Sequence, residues 1–370
     1  MSLRSSMILT PLVSHEEPDG SVGAAAVHRA PERNIGAASI ARRDSLTGRG
    51  PLKLAVLVGT RRGTSESHRG FGVLADLPAL LAGEELVTLY LDDDHAAAAG
   101  ADAAFGGPNP DRLRAVLAAA PGLRWYHTVS AGVERLLIPE LERPGLALTN
   151  NSGAYDLAIA EHVVAMIFAA AKRLPASFAA QGRHDWHDDP HATDVRGATL
   201  VVLGMGSIGG ELAAIARALG MRVIGVRRSG GDGAVTPDRL GEVAAEADYL
   251  AVCAPLTDAT RGMVDAGVIA AMKPNAWIVN ISRGAVVDEQ ALLAALKERR
   301  IGGAALDAWW TEPLPKDSEW WDLPNVIVTP HTSHSSPSVR DRSIALIQEN
   351  LRRFKAGEPL LNRVDLRLGY

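Results

Sequence analysis

The sequence has little of what would cross-link, strongly charge or anchor a protein. Cysteine occurs once in 370 residues, at Cys253, so no internal disulfide can form and the fold needs no oxidising compartment. The net charge is −5, which leaves no basic excess for a nucleic-acid backbone. The longest apolar run, around residues 158–171, contains Glu161 and His162 and is shorter than the ~20 residues of a membrane helix. We therefore expect a cytoplasmic protein that binds neither nucleic acid nor membrane.

Glycine and small apolar residues are plentiful instead. The chain has 36 glycines, 47% hydrophobic residues and 5% aromatic residues, which is typical of a globular protein with ample core. At roughly 100–200 residues per domain, this length predicts two domains, or three. The first fifty residues differ because they lack helical and strand periodicity. We expect residues 1–50 to be a disordered extension, or the product of a start codon placed too early.

From residue 52 the chain alternates short apolar segments with helical ones. This alternation predicts parallel sheets that are covered on both faces by helices. The predicted strands are 52–58, 85–91, 123–128 and 146–149, followed by 199–203, 222–226, 249–253, 277–280, 303–306 and 326–328. A long helix over 154–173, ended by Pro175, joins the two blocks, and a last helix over 338–354 returns. The predicted fold class is α/β, with two doubly wound parallel-sheet units.

A glycine pattern follows the predicted strand 199–203. It has the form G-x-G-x-x-G, and its residues are Gly204, Met205, Gly206, Ser207, Ile208 and Gly209. With this number of glycines, about 0.3 such patterns are expected in the chain by chance. The pattern alone is therefore weak evidence for a phosphate-binding loop. Here a strand enters it and an Ala-rich helix leaves it, which is the setting of a dinucleotide pyrophosphate site. Gly204 would permit the tight turn, Gly206 the approach of the pyrophosphate, and Gly209 the packing of helix on strand.

The residues after the next predicted strand bear on the choice of cofactor. A carboxylate usually binds the adenosine ribose 2′-hydroxyl at this position. Here Arg227, Arg228 and Ser229 follow Val226. Arginine cannot accept a hydrogen bond from a hydroxyl, but its planar fork matches a phosphate. This favours NADP(H) over NAD(H); an arginine that stacks on adenine and tolerates either cofactor is the alternative.

Three polar segments follow predicted strand ends in the second block, where open α/β sheets bind ligands. They contain Arg283, Glu312 and His331. The order of motifs resembles the D-isomer-specific 2-hydroxyacid dehydrogenases over about residues 52–354. The matching segments are G-x-G-x-x-G, VCAPLT at 252–257, MKPNA at 272–276, Asn280-x-x-Arg283-Gly284, Asp307 with Glu312-Pro313, and Pro330-His331.

The resemblance implies an organisation and further cofactor contacts. A Rossmann dinucleotide-binding domain, residues 153–332, would be inserted into a smaller flavodoxin-like substrate domain made of residues 51–152 and 333–370. The arm after the long helix would help to form a homodimer. Asp307 would contact the nicotinamide carboxamide, with a structural role as the alternative. The other residues expected to line the cofactor are Cys253, Ala254, Pro255, Thr260, Ile281, Ser282 and His331.

Physical chemistry gives Arg283, Glu312 and His331 roles independently of the resemblance. A 2-oxo acid offers a carboxylate and a carbonyl, and its reduction adds a hydride to carbon and a proton to oxygen. Arg283 can bind the carboxylate and polarise the carbonyl with charged donors. His331 can donate the proton because histidine titrates near neutrality. Glu312 would hold the imidazole and favour its protonated form.

The substrate side is expected to come from the first block. Residues 129–134 resemble the family's loop whose backbone N–H groups bind the substrate carboxylate, and amide nests suit anions. We expect Ser130, Ala131 and Gly132 to bind substrate together with Arg283 and His331. A plain strand-to-helix turn would also want Gly132. The side chains of this loop are short, so the preferred 2-substituent stays open.

Several other groups of residues could bind a metal, the substrate or the cofactor. Histidines and aspartates at 184–191 suggest a metal cluster, but no cysteine joins them and Pro190 breaks helical spacing, so we expect a solvated arm and no metal site. The tryptophan pairs at 309–310 and 320–321 could wall the pocket or pack under it. His334 could touch substrate or only solvent. Cys253 is expected to line the cofactor or pack rather than act as a nucleophile.

The leading hypothesis is an NADP(H)-preferring 2-oxoacid reductase, a D-2-hydroxyacid dehydrogenase of class EC 1.1.1.-. Glyoxylate- or hydroxypyruvate-like substrates are favoured because short side chains line the loop. A formate- or phosphite-type dehydrogenase on the same scaffold is one alternative; Glu312 counts against it because the formate branch has glutamine there. A non-catalytic dinucleotide-sensing protein, like the family's co-repressor relatives, is the other.

Overall fold

The computed structural model describes residues 51–59, 72–81, 83–186, 188–231 and 233–369. The prediction for residues 1–50 lies outside this part of the chain. Within it, short strands alternate with helices throughout. The strands are β1 Lys53–Leu57, β2 Glu85–Leu89, β3 Ala103–Gly106, β4 Trp125–Thr128, β5 Ala147–Thr149, β6 Thr199–Leu203, β7 Arg222–Val226, β8 Tyr249–Val252, β9 Trp277–Asn280, β10 Gly303–Leu306 and β11 Val326–Val328. The α-helices are α1 Gly72–Leu80, α2 Pro110–Ala119, α3 Asp156–Ala171, α4 Leu174–Gly182, α5 Ser207–Ala218, α6 Leu240–Ala244, α7 Ala266–Ala271, α8 Glu289–Lys297 and α9 Pro337–Ala356.

The first sheet contains β1 to β5 in the order β2-β1-β3-β4-β5, and every pair is parallel. The sequence pattern does not predict β3, because this strand has only four residues and three of them are Ala or Gly within an Ala-rich stretch. All four of its residues are buried. A strand that is covered on both faces has no polar side to give it a period of two, so the missed strand has a physical reason.

The second sheet contains β6 to β11 in the order β11-β10-β9-β8-β6-β7, again with every pair parallel. The strands predicted for this block are confirmed, five of the six with the same bounds. In each sheet the first strand of the unit lies between the second and the third. That is the point where strand order reverses, and it opens a crevice at the carboxyl ends of the strands.

Two helices connect the sheets. Ile159, Val163 and Ile167 of α3 pack in one hydrophobic cluster with residues of the second sheet. Ile347 and Leu351 of α9 pack in a cluster with the first sheet. The start of α9 nevertheless belongs to the α3 cluster, through Val339. The chain therefore crosses between the sheets twice.

The predicted end of the long helix is wrong. The helix α3 ends at Ala171, and Arg173 adopts a left-handed conformation with φ of 56°. A second helix, α4, then begins, with Pro175 in its first turn. Proline is tolerated there because the first N–H groups of a helix have no intrahelical partner. Pro175 thus starts a new helix rather than stopping the old one.

The last residues described return to the first sheet. The N–H of Val364 donates to the carbonyl of Leu148 at 2.9 Å, and Arg363 forms an antiparallel bridge with Thr149. In the described part of the chain, no single helix is long and apolar enough to cross a membrane. The helices α3 and α4 together have the length and composition of a membrane span, with a bend of 68° between them.

Candidate active site

The glycine loop, residues 204–209, follows β6 at the crevice of the second sheet. Gly204 has φ of 101°, and a Cβ there would lie 2.5 Å from the amide nitrogen of Ala254. A Cβ on Gly209 would lie 2.0 Å from the carbonyl oxygen of Gly204. A Cβ on Gly206 would meet nothing within 4 Å, so its backbone faces open space. These contacts match the turn, ligand-approach and packing positions of a dinucleotide loop.

The amino end of α5 faces the same space. Its first helical hydrogen bond runs from the N–H of Gly210 to the carbonyl of Gly206. The N–H groups of residues 207–209 precede that bond, so they are available to an anion such as a pyrophosphate. The hydroxyl of Ser207 donates to Asp156 at 3.2 Å and lies 3.1 Å from the hydroxyl of Ser152. Burial raises the pKa of Asp156.

Met205 and the arginines after β7 lie on the β7 side of the glycine loop. The Met205 side chain covers Gly225, where a Cβ would lie 2.6 Å from Met205 Cγ. Because β6 and β7 are neighbours in register, the residues after Val226 lie beside the glycine loop. Arg227 is half-buried and its Nε donates to the hydroxyl of Ser229 at 3.1 Å. Arg228 is exposed.

The segment after β8 forms the opposite wall of the crevice. The N–H of Cys253 donates to the carbonyl of Leu203 at 2.8 Å, which brings this segment against the glycine loop. Burial raises the pKa of the Cys253 thiol to about 12, so the thiol is protonated at neutral pH. The hydroxyl of Thr260 donates to the carbonyl of Pro255 at 2.6 Å and accepts the N–H of Thr257 at 2.8 Å. Thr260 therefore closes the turn that follows β8.

A buried asparagine shapes the turn that carries Arg283. Asn280, the last residue of β9, accepts the N–H of Ser282 at 3.0 Å and donates to the carbonyl of Arg283 at 3.0 Å. Ile281 and Ser282 are buried under this turn. A side chain that satisfies both ends of a turn fixes its direction, and here it aims Arg283 at the first sheet.

Arg283 contacts the loop after β4. Its Nε donates to Glu134 Oε1 at 2.6 Å, and its Nη1 donates to the carbonyl of Ser282 at 2.8 Å. A Cβ on Gly132 would lie 2.2 Å from Arg283 Nη2, so the guanidinium lies directly against this glycine. Residues 129–133, which we call the nest loop, therefore lie against the positive charge of the second sheet.

His331 and Glu312 form a close pair after β11 and β10. His331 Nδ1 lies 2.9 Å from each carboxylate oxygen of Glu312. A carboxylate only accepts hydrogen bonds, so Nδ1 carries the hydrogen and Nε2 is left for another partner. Burial would raise the pKa of Glu312, but the His331 bond, the N–H of Trp309 and the charge of Arg283 together lower it. Glu312 is therefore ionised at neutral pH and within electrostatic range of Arg283.

Asp307 holds the loop around His331. Its two oxygens accept the N–H groups of Thr332 at 2.8 Å and Ser333 at 2.9 Å, and the hydroxyl of Thr329 at 2.7 Å. Burial alone would raise the pKa of Asp307, yet these bonds lower it. This carboxylate thus fixes residues 329–333, in which His331 takes a left-handed φ of 56°. His162 of α3 joins the network, with Nε2 3.3 Å from the Thr329 hydroxyl.

Most of the paired tryptophans pack beneath the loop of Glu312. Trp309 and Trp320 are buried in the hydrophobic cluster of the second sheet. Trp310 stacks on Trp320 with 5.4 Å between ring centroids, and Trp321 is half-exposed. The positions of Trp309 and Trp320 therefore favour packing over a role in walling the pocket. His334 lies beside the site, its ring centroid 6.3 Å from that of His331.

The structure brings most of the predicted residues together and adds some that the pattern did not single out. Glu134 received no role because its partner is 149 residues away in sequence. Its signal was present in the sequence, as a carboxylate directly after the nest loop. His162 acts through a partly buried hydrogen bond to Thr329, which no spacing reveals. Asn280 is part of a matched segment, but its hydrogen bonds to the turn become visible only in the fold. Across the described residues, no group of three or more His, Cys, Asp or Glu could hold a metal ion; His187 of the predicted arm is not among them.

Comparison with known proteins gives consistent matches. Residues 164–333 match the NAD-binding domain of the D-isomer-specific 2-hydroxyacid dehydrogenases. A glyoxylate reductase of Korarchaeum cryptofilum is 34% identical over 260 residues, which are 68% of this chain and 78% of the relative. A D-3-phosphoglycerate dehydrogenase of Synechocystis is 32% identical over 68% of this chain, and the match spans only 46% of that longer protein.

A solved structure agrees with these matches. It is an NADPH-dependent glyoxylate/hydroxypyruvate reductase from Sinorhizobium meliloti in complex with NADP and sulfate. It superposes with a TM-score of 0.73 at 28% identity, over 87% of this chain and 100% of that chain. The shared fold, the glycine loop and the sequence matches lead to one conclusion: the chain belongs to the D-isomer-specific 2-hydroxyacid dehydrogenases, a family of NAD(P)-dependent oxidoreductases.

Proposed function

We propose that this protein is an NADP(H)-preferring reductase of small 2-oxo acids, which it converts to D-2-hydroxy acids. The observation that carries the proposal is the meeting of three charged groups at one crevice. Arg283 lies against the nest loop, and the ionised Glu312 holds His331 at 2.9 Å within range of the Arg283 charge. A carboxylate binder and a supported proton donor are what the reduction of a 2-oxo acid requires.

Each residue has a defined task in this proposal. The N–H groups of Ala131 and Gly132 bind the substrate carboxylate together with Arg283, and Ser130, whose N–H donates to the Thr128 hydroxyl, lines the same site. His331 donates a proton from Nε2 to the carbonyl oxygen, while Glu312 stabilises the imidazolium. The nicotinamide cofactor supplies the hydride when it is bound.

The remaining crevice residues suit a dinucleotide. The glycine loop and the amino end of α5 would hold the pyrophosphate. Asp307 would hold the His331 loop and meet the nicotinamide carboxamide. The other residues proposed to line the cofactor are Met205, Ser207, Ile208, Cys253, Ala254, Pro255, Thr260, Ile281 and Ser282.

The preference for NADP(H) rests on Arg227, Arg228 and Ser229. Their place beside the glycine loop is that of the adenosine ribose, and the two guanidinium groups suit a 2′-phosphate. The name of the Sinorhizobium meliloti relative, an NADPH-dependent glyoxylate/hydroxypyruvate reductase, supports both this preference and the substrate class. Short side chains in the nest loop favour small substrates.

A substrate panel tests the proposal. The purified protein is assayed with glyoxylate, hydroxypyruvate and pyruvate, each with NADPH and with NADH, and with D-3-phosphoglycerate in the oxidative direction. We expect turnover of glyoxylate or hydroxypyruvate and a higher kcat/KM with NADPH. A kcat/KM that favours NADH contradicts the cofactor preference. Cofactor binding without turnover of any 2-oxo acid contradicts the enzyme and supports a sensor.

The proposal extends to organisation in the cell. We propose the division into a substrate domain of residues 51–152 and 333–370 and a dinucleotide domain of residues 153–332, since the strands of each sheet fall within these bounds. We also propose a homodimer in the cytoplasm. Phe178 of α4 is 64% exposed and Trp186 of the arm that follows is 99% exposed, and aromatic groups so exposed favour a protein contact. Sedimentation of the wild type and of Trp186→Ser tests the dimer; equal, monomeric mass for both contradicts it.

A further inference from the structure

The nest loop is held from behind by the segment that leads from β5 to α3. We call residues 150–155 the hinge segment. Three successive carbonyl groups of the nest loop each accept one hydrogen bond from it. The bonds are Tyr155 Oη to Val129 O at 2.5 Å, Asn151 N to Ser130 O at 3.0 Å, and Asn150 Nδ2 to Ala131 O at 2.9 Å.

These bonds set the direction of the amide groups. A peptide unit is planar and trans, so its C=O and the following N–H point to opposite sides. Fixing the carbonyl of Ser130 therefore aims the N–H of Ala131 away from the hinge segment, and fixing the carbonyl of Ala131 does the same for Gly132. The bond from Tyr155 fixes the first unit, whose N–H, on Ser130, lies 3.3 Å from the Thr128 hydroxyl.

Of the amides aimed in this way, that of Ser130 donates to the Thr128 hydroxyl, and those of Ala131 and Gly132 are unused by the described part of the protein. Within the described part of the chain, the N–H groups of Ala131, Gly132 and Val133 donate to no protein acceptor. Arg283 Nη2 lies against Gly132, together with the Glu134 oxygen with which Arg283 is paired. Adjacent N–H donors beside a guanidinium form an anion site whose geometry depends on the backbone rather than on side chains.

The two side chains that hold the loop are themselves held. Asn150 is 8% exposed, and its Oδ1 accepts the N–H of Ser152 at 3.1 Å. Tyr155 is 6% exposed, and its ring edge meets His334 with 5.9 Å between centroids. Tyr155 therefore joins the nest loop to the loop of His331, although it touches no reacting atom. A rigid second layer of this kind preserves the geometry of a binding site.

We infer that Asn150 and Tyr155 are positioning residues for the substrate carboxylate, acting through the nest loop. The inference rests on the proposed function for its substrate, but it concerns binding rather than the chemical step. Loss of either bond would let the peptide units rotate and weaken anion binding, while hydride and proton transfer stay unchanged. The effect should therefore fall on the affinity for the acid, not on that for the cofactor.

The test uses Tyr155→Phe and Asn150→Ala in the full chain. Two control variants remove comparable bonds elsewhere. One is Tyr249→Phe at the amino end of β8, whose hydroxyl is hydrogen-bonded to Thr193, and the other is Asn325→Ala, whose amide donates to the carbonyl of Leu296. We measure KM and kcat for the best 2-oxo acid, the inhibition constant of oxalate, and the Kd of NADPH. One net hydrogen bond corresponds to roughly a 2- to 12-fold change in affinity.

We expect KM and the oxalate constant to rise together by that factor in both test variants. We expect kcat and the Kd of NADPH to change less than twofold, and the controls to match the wild type. Unchanged KM and oxalate binding overturn the inference, as does a fall in kcat alone. A wild type that turns over no 2-oxo acid overturns the proposed function instead. In that case, calorimetric titration with oxalate tests the inference without turnover. Weaker oxalate binding in the variants than in the wild type supports the inference, and equal or absent oxalate binding overturns it.

Discussion

The two sheets present different chemistry at the same kind of edge. Both are parallel, and both place their loops after the carboxyl ends of the strands. The second sheet supplies charged side chains, Arg283, Glu312 and His331. The first sheet supplies backbone N–H groups of the nest loop and one carboxylate, Glu134, which pairs with Arg283. In the proposed function, the edge of the second sheet reacts and that of the first sheet orients the substrate.

The largest effect is expected from the proton donor of the second sheet. Replacing His331 by Ala removes the general acid and should lower kcat by roughly 100- to 10,000-fold. Binding of oxalate at the nest loop should change far less, because the orienting edge is intact. Steady-state kinetics and oxalate inhibition measure the two. His191→Ala, on the exposed arm, is the control, and near-normal turnover of His331→Ala would remove this residue from the mechanism.

Arg283→Lys tests the residue that both edges share. Lysine keeps the charge but not the fork, so it cannot hold Glu134 and a substrate carboxylate together. The loss of a charge-assisted hydrogen bond should lower kcat/KM roughly 10- to 150-fold. Arg300→Lys is the matched control, since Arg300 donates to the carbonyl of Met272 away from the crevice. Equal kinetics in the wild type and Arg283→Lys would mean that the fork is not used.

A smaller effect is expected on the adenosine side of the second sheet. Replacing Arg227 or Arg228 by Ala should raise the KM of NADPH about 10-fold, because a charged hydrogen bond to a phosphate is lost. The KM of NADH should stay the same, since it has no 2′-phosphate. Cofactor titrations under saturating acid measure both. A parallel rise for the two cofactors would favour the adenine-stacking alternative.

The smallest effect concerns the stability of the first sheet. His127 is buried in β4, with Nδ1 2.8 Å from the Thr149 hydroxyl, and burial lowers its pKa from 6.5 to about 3. Between pH 6.5 and about pH 3, His127 is therefore protonated in the unfolded chain but not in the folded protein. The free energy of unfolding should therefore fall as the pH drops below about 6.5, by up to about 1.4 kcal/mol per pH unit. Urea unfolding at pH 7.5 and 5 measures this slope, which His127→Gln should reduce and His191→Gln should not.

How far the sequence could predict the site follows the same division. Side chains after predicted strands, such as Arg283 and His331, could be proposed for the site because their chemistry and their position are both readable in the chain. The short strand β3 and the break at Arg173 were missed, because a four-residue strand buried on both faces and a single left-handed residue leave no periodic signal. The bonds from Asn150 and Tyr155 to the nest loop join segments that only the folded sheet brings together.

The ion pair between Glu134 and Arg283 also has a kinetic consequence. The two charges come from loops of different sheets and meet at 2.6 Å across the crevice. Any widening of the crevice must separate them, and that cost is electrostatic and becomes smaller as mobile ions screen the charges. A higher ionic strength therefore lowers the free energy needed to part these two loops, and with it the barrier to widening the crevice.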